Sequence, residues 1–173
     1  MNLVKHEEQK YPKKSRKKYI KKTLMNNTEI VFFEKLKKGL IGLHVFPQVS
    51  MNQVLDVEQQ KDYKDRLPFW AKIIDFVICT PQCQVIAIVE LDGPSHDSPE
   101  KKQKDKDRDE MLEEAGYIVL RYDWRNKITE AQLNHDFKRI IMAWNKIKLQ
   151  EEVAKKEDRI IQLLAKEHLS LEE

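Results

Sequence analysis

The sequence predicts an α/β domain built on a small mixed sheet with helices on both faces. Three observations carry this. Residues 72–79 (KIIDFVIC) and 84–91 (QVIAIVEL) are apolar at almost every position, the pattern of central strands covered from both sides. Residues 117–122 (YIVLRY) repeat that character after an intervening charged segment. Beyond Glu130, Leu133, Phe137, Ile140, Ile141, Trp144 and Ile147 recur at helical spacing.

Taken in order, Thr28 is placed to cap a first helix running to about Leu40, with Glu29 in its first turn. Ile30, Phe33, Leu36 and Leu40 form its apolar side, and Gly39 or Gly42 ends it. Residues 44–49 alternate like a strand, but Pro47 has no N–H to donate, which sends this strand to a sheet edge or a bulge. A polar connection, 52–66, follows. The two apolar strands are joined by residues 80–83 with Pro81, short enough for a hairpin. Ser98, Pro99 and Glu100 read as N-cap, first-turn proline and first-turn acid of a helix over 99–115, which Gly116 terminates. The C-terminal region forms two helices or one long one, with a second apolar group at 160–164. The chain thus divides into a basic tail (1–24), a core domain (25–125) and a helical extension (126–173).

A chain of 173 residues accommodates one core with extensions. With 40% apolar and 35% charged residues, the composition is that of a folded protein of high charge density. The first apolar stretch, 30–33, is broken by Glu34 and Lys35, and no run approaches the roughly 18 apolar residues that span a bilayer. A cytoplasmic protein without a signal peptide is expected. Two cysteines, Cys79 and Cys83, cannot make a disulfide framework, and a zinc site would need two ligands from elsewhere; they read as reduced thiols. The net charge of +3 hides an uneven distribution, because 9–22 (QKYPKKSRKKYIKK) carries only positive charge. Lys13, Lys14, Arg16, Lys17 and Lys18, with Tyr11 and Tyr19 interleaved, suit a nucleic-acid backbone and its bases, and equally a solvated terminus.

The chemistry lies where carboxylates interrupt the apolar strands. Asp75 falls in the middle of KIIDFVIC, and Glu90 and Asp92 close QVIAIVELD. A buried charge is expensive unless a cation or a strong partner offsets it. Glu90 and Asp92, two apart on a strand, share a face, while Leu91 points away and leaves its carbonyl as a further ligand. If the two strands pair through their short link, Asp75 joins them. Three carboxylates and a carbonyl make a hard oxygen site suited to Mg2+ or Mn2+. The competing explanation is pairing with Lys72, Lys104 or Arg108.

The stretch IDFVIC, the fifteen-residue interval from Asp75 to Glu90, VELDGPSH and DKDRDEMLEEAGYIVLRY together resemble the Vsr-like branch of the PD-(D/E)xK nucleases, which includes the very short patch repair endonucleases. The resemblance covers about 25–124. It implies a restriction-endonuclease-like three-layer fold and a Mg2+- or Mn2+-dependent endonuclease acting on nucleic acid, with DNA the expected substrate. The positions of that pattern are filled by Glu29 on the first helix, Asp75, Glu90 with Asp92 and Gly93, His96, Asp105 with Arg108, and Gly116. Asp92 stands where the superfamily motif has its lysine, so the cationic role passes to His96, Arg108 or Lys104. The cysteine and histidine zinc ligands of the mismatch-repair enzymes have no counterparts here, and T:G mismatch recognition is not carried over. His96 follows Asp92 by four residues across Gly93 and Pro94, a turn that can bring its imidazole over the carboxylates to move a proton. Asp105 and Arg108, three apart on one helix face, suit a buried ion pair as well as catalysis. Trp124 and Arg125, just past the last strand, are placed to meet nucleic acid or, for Trp124, to pack in the core. Two other classes stay open: a non-catalytic nucleic-acid-binding module that keeps the fold, and an interaction protein that docks or self-associates through its C-terminal helices.

Overall fold

Helix α1 (Asn27–Gly39) begins the domain, and the reason it begins there is a reciprocal cap. Asn26 Oδ1 accepts from the Glu29 N–H at 3.0 Å, and Glu29 Oε2 accepts from the Asn26 N–H at 2.7 Å. Asn26 therefore caps the helix, not Thr28 as the sequence suggested; Glu29 sits at the one position from which it can return the bond. The buried face also shifts, to Phe32, Leu36 and Leu40, while Ile30 is exposed. Gly42, with φ 86, turns the chain out of the helix. This description comes from a computed structural model that covers residues 19–58, 62–93 and 99–170.

Four strands follow in sheet order β1-β2-β3-β4: β1 (His44–Ser50), β2 (Ile73–Cys79), β3 (Val85–Asp92) and β4 (Ile118–Asp123). The first three are antiparallel neighbours and β4 is parallel to β3, so the sheet is mixed. β1 lies at the edge, as Pro47 requires. The connection from β1 to β2 is organised by two short 3-10 turns, Met51–Gln53 and Tyr63–Arg66. The β2–β3 link is a tight hairpin in which the Thr80 N–H donates to Gln84 O at 2.9 Å. Helix α2 (Pro99–Glu114) crosses from β3 to β4, and Gly116, at φ 88, lets the chain turn into the strand. Ser98, its expected cap, lies outside the described residues.

The C-terminal region is one helix, α3 (Glu130–Ser170), of 41 residues and about 60 Å. Its first turns are part of the domain: Leu133, Phe137 and Ile140 join Phe32, Leu36 and Leu40 of α1 against Phe76, Ile78, Val89, Leu120 and Tyr122 of the sheet. A boundary at 125/126 therefore cuts through the core, and the projecting part of α3 begins after about Ile147. Gly39 allows this packing, because a side chain there would collide with the Phe137 ring. Tyr122 secures it further by donating its hydroxyl to the buried Asp136 at 2.7 Å. On the opposite face, Leu112 of α2 packs with Ile74, Val77, Cys79 and Ile88, over Met51 and Phe69. Helices thus cover both faces of a four-stranded mixed sheet, the α/β arrangement that the doubly apolar strands predicted.

Candidate functional site

The register sets a polar row across otherwise apolar strands. The pairs Pro47–Phe76 and Val49–Ile74 place Gln48 across from Asp75, the pair Phe76–Val89 places Asp75 across from Glu90, and Glu90 pairs with Arg121. Residues opposite one another on paired strands project from the same face. Each member is held in a specific way.

Asp75, half-buried on β2, accepts from the Leu91 N–H at Oδ2 (2.8 Å) and from Gln48 Nε2 at Oδ1 (3.4 Å). The same Gln48 amide donates to Glu29 Oε1 at 3.4 Å. Glu29 thus has two tasks: one oxygen completes the α1 cap and the other reaches toward the sheet. Gln48 holds a left-handed backbone, φ 54, which costs a non-glycine residue roughly 1 kcal/mol and has to be over-determined by its surroundings.

Glu90 is the most buried acid of the row, with its side chain 6% exposed. Arg108 of α2 approaches its Oε1 only to 3.6 Å and lies 3.4 Å from Asp105 Oδ1. Glu90 Oε1 and the Nε and Nη2 of Arg108 are all buried without a hydrogen-bond partner. Burial pushes the Glu90 carboxyl up to about 8; Arg108 pulls it down, while Asp75 and Asp92 push it further up. Desolvation outweighs the neighbouring arginine. The carboxyl is therefore held mostly in its neutral form near pH 7.

Asp92 has a different environment. Its Oδ1 accepts from Arg121 Nη1 at 2.8 Å, and the remaining nitrogens of Arg121 form a fork with Asp109 of α2, Nε to Oδ2 at 2.6 Å and Nη2 to Oδ1 at 2.7 Å. Burial opposes the charge on Arg121, but the bonds to Asp109 and the fields of Asp92 and Glu90 raise its pKa and keep it protonated. Two acid–arginine–acid groups therefore tie α2 to the sheet, Glu90–Arg108–Asp105 and Asp92–Arg121–Asp109.

Glu29 and Asp75 are joined through Gln48, Glu90 and Asp105 through Arg108, and Asp92 is held by Arg121. Sequence reasoning missed Gln48, Asp109 and Arg121. Arg121 had a signal of the same kind as Asp75, a charge inside an apolar strand; Gln48 had none. Arg125 engages Asp123, Nε to Oδ1 at 2.8 Å, and Lys104 is exposed on α2. Trp124 stays half-exposed at the rim. His96, Lys13, Lys14, Arg16, Lys17 and Lys18 lie outside the described residues.

Among the described residues, no group of three or more His, Cys, Asp or Glu is gathered to hold a metal ion. Part of the expected ligand set nonetheless suits a hard cation. Asp75 and Glu90 face one another, and Glu90 has a buried oxygen without a hydrogen bond together with a carboxylate form that added positive charge would stabilise. A strand residue turns its N–H and C=O toward the same neighbour, so the Leu91 carbonyl lies on the Asp75 side. Asp92 fits less well, because Arg121 already occupies its Oδ1.

Residues 21–140 match the family described as "Protein of unknown function (DUF2726)", which spans α1, the whole sheet, α2 and the packed start of α3. The chain belongs to this family. It is also 28% identical over 109 residues to an uncharacterized protein of Haemophilus influenzae, a match that takes in 61% of this chain and 56% of the relative. The chain thus spans little more than half the length of that protein. No solved structure matches it.

Proposed function

We propose that the domain is a metal-dependent nuclease of the PD-(D/E)xK kind, in its Vsr-like branch and with a restriction-endonuclease-like core, that hydrolyses phosphodiester bonds of nucleic acid in the cytoplasm, with DNA the expected substrate. The observation that carries this reading is Glu90: a buried carboxyl with an oxygen that no hydrogen bond satisfies, set across from Asp75 in a sheet interior. Nothing in the packing of an apolar sheet calls for two facing acids there.

Asp75, Glu90 and the Leu91 carbonyl would hold Mg2+ or Mn2+. Such a cation, when bound, lowers the pKa of water and offsets charge on the phosphate. Gln48 fixes the Asp75 carboxylate and ties it to Glu29. Arg108 and Asp105 hold Glu90 from the α2 side, and Arg121 fixes Asp92 at the end of β3. His96, four residues beyond Asp92, is the group for proton transfer to or from the reacting oxygens. The basic tail, Lys104 and Arg125 supply positive charge for the backbone.

A second reading, a catalytically inactive nucleic-acid-binding or protein-interaction module on the same fold, is favoured by the engagement of Asp92 with Arg121. For the protein-interaction form, Leu149, Val153, Ile160, Ile161, Leu163 and Leu164 are exposed on the far part of α3, a surface for a partner or a second copy. Incubation with single- and double-stranded DNA and RNA, in Mn2+ or in EDTA, separates the readings. The nuclease reading expects metal-dependent cleavage by the parent and none by Asp75→Asn or Glu90→Gln. A parent that neither cleaves nor gains thermal stability from the metal overturns it in favour of the inactive module.

A further inference from the structure

The carboxylate row leaves unexplained a cleft of about 600 Å3 on the other side of the β3 end, between the start of α1 and the loop that follows β4. We infer that this cleft takes one unpaired nucleobase of a nucleic-acid strand, stacked on Trp124, with the strand's phosphates at Lys35 and Lys127. This rests on the nucleic-acid substrate proposed above and adds to it that the substrate is single-stranded or locally unpaired at the site.

The wall of the cleft is chemically one-sided. Val31, Phe32, Leu91 and Ile128 give it an apolar floor, Asn27 and Asn126 supply amides, and Lys35 and Lys127 supply charge. No acid lines it. Among the described residues, neither lysine is paired with an acid. An apolar slot with a few amides and uncompensated cations matches a base with its attached phosphate better than it matches an apolar ligand or a cation.

Trp124 is the side chain best explained by this role. It is 47% exposed although it sits beside the core, and it is held there from two directions. Its backbone N–H donates to Asp92 O at 3.2 Å, and the edge of its indole rests on Gly93, where an added Cβ would come within 2.7 Å of Nε1. A large aromatic ring fixed by its edge while half its surface remains open is a stacking platform, and stacking tolerates any base because each has a π-face.

The cleft is also continuous with the candidate site. A second, smaller cavity shares Asn27, Thr28, Leu91 and Trp124 with it and adds Glu29. Glu29 leads through Gln48 to Asp75. A strand whose base enters the cleft therefore runs over the end of the sheet toward the facing carboxylates.

The test is binding in EDTA, where cleavage cannot intervene, of a short mixed-sequence single-stranded oligonucleotide (DNA and RNA arms), its blunt duplex, an abasic oligomer of the same length, and free AMP. Binding is read by anisotropy and by quenching of tryptophan fluorescence. The 173-residue chain is expected to prefer the single strand to the duplex and to the abasic oligomer, with fluorescence quenched on binding. Trp124→Ala should weaken single-strand binding about tenfold or more and remove most of the quenching, Trp124→Phe should fall between, and Lys127→Glu should weaken binding without removing the quenching. Thermal melts check that each variant folds. Equal affinity of the parent and Trp124→Ala for the single strand, or of the parent for the base-bearing and abasic oligomers, overturns the inference. Binding of AMP as tight as that of the oligomer would assign the cleft to a free nucleotide and overturn it too. The outcomes stay separate from those for catalysis: Trp124-dependent binding without cleavage sinks only the nuclease reading, and cleavage with Trp124-independent binding sinks only the cleft.

Discussion

Replacing Glu90 with Gln is the most informative perturbation, because it keeps the shape of the side chain and removes only its titration. Burial holds the carboxyl at about 8 in the folded protein against an ordinary value of 4.5. Below pH 4.5 both the folded and unfolded chains carry the proton, and the group contributes no pH dependence. Between 4.5 and 8 the unfolded chain has lost the proton while the folded chain keeps it, so stability falls as pH rises. Above 8 both are ionised and the penalty is complete. At about 1.4 kcal/mol per pH unit, the ceiling is roughly 5 kcal/mol over that window. Entry of water beside the ionised carboxylate lowers this to an expected 2 to 3 kcal/mol, on the order of 5–10 °C in melting temperature for a chain of this size. The assay is a series of thermal melts in EDTA from pH 5 to 8.5. The parent should lose stability relative to Glu90→Gln as pH rises, with the two converging near pH 5. Mn2+ should restore the parent most at the alkaline end, since it binds the ionised form, and should leave the variant unmoved. Parent and variant curves that stay parallel from pH 5 to 8.5 in EDTA would refute the claim that Glu90 is a buried acid awaiting a cation.

Three further outcomes follow from the same geometry. Arg121→Met should destabilise the domain by about 2 to 3 kcal/mol in urea unfolding, because Asp92 and Asp109 lose their shared partner, and adding Asp109→Asn should recover part of the loss. Gly93→Ala should displace the Trp124 indole at a cost of about 1 to 3 kcal/mol, and little further loss should appear when Trp124→Ala is already present; additive costs would mean the two do not touch. Deleting 1–22 should weaken nucleic-acid binding and flatten its salt dependence, through the loss of phosphate contacts and the counterions they release; an unchanged slope would remove the tail from the interface.

What the sequence determined by itself was the layering and the place of the charges set into it. Strands apolar on both faces have to be covered twice, so helices on both sides of the sheet followed from 72–79 and 84–91 alone, and Pro47 was enough to put β1 at the edge. Asp75, Glu90 and Asp92 stood out because a charge in or at the end of such a segment needs a partner, a constraint that acts at the level of composition and spacing. What only the tertiary structure decided was which partner each charge took. Spacing on α2 already set Asp105 beside Arg108, but only the crossing of α2 over β3 and β4 settles that Arg108 meets Glu90 while Arg121 takes Asp92 and Asp109. Gln48 is polar, unremarkable in sequence and strained in backbone, and its place across from Asp75 exists only once β1 and β2 are in register. The cap at Asn26, by contrast, is local, because Asn26 and Glu29 stand three apart and exchange bonds as a capping box; only the second oxygen of Glu29, which accepts from Gln48, depends on the packing of α1 against the sheet.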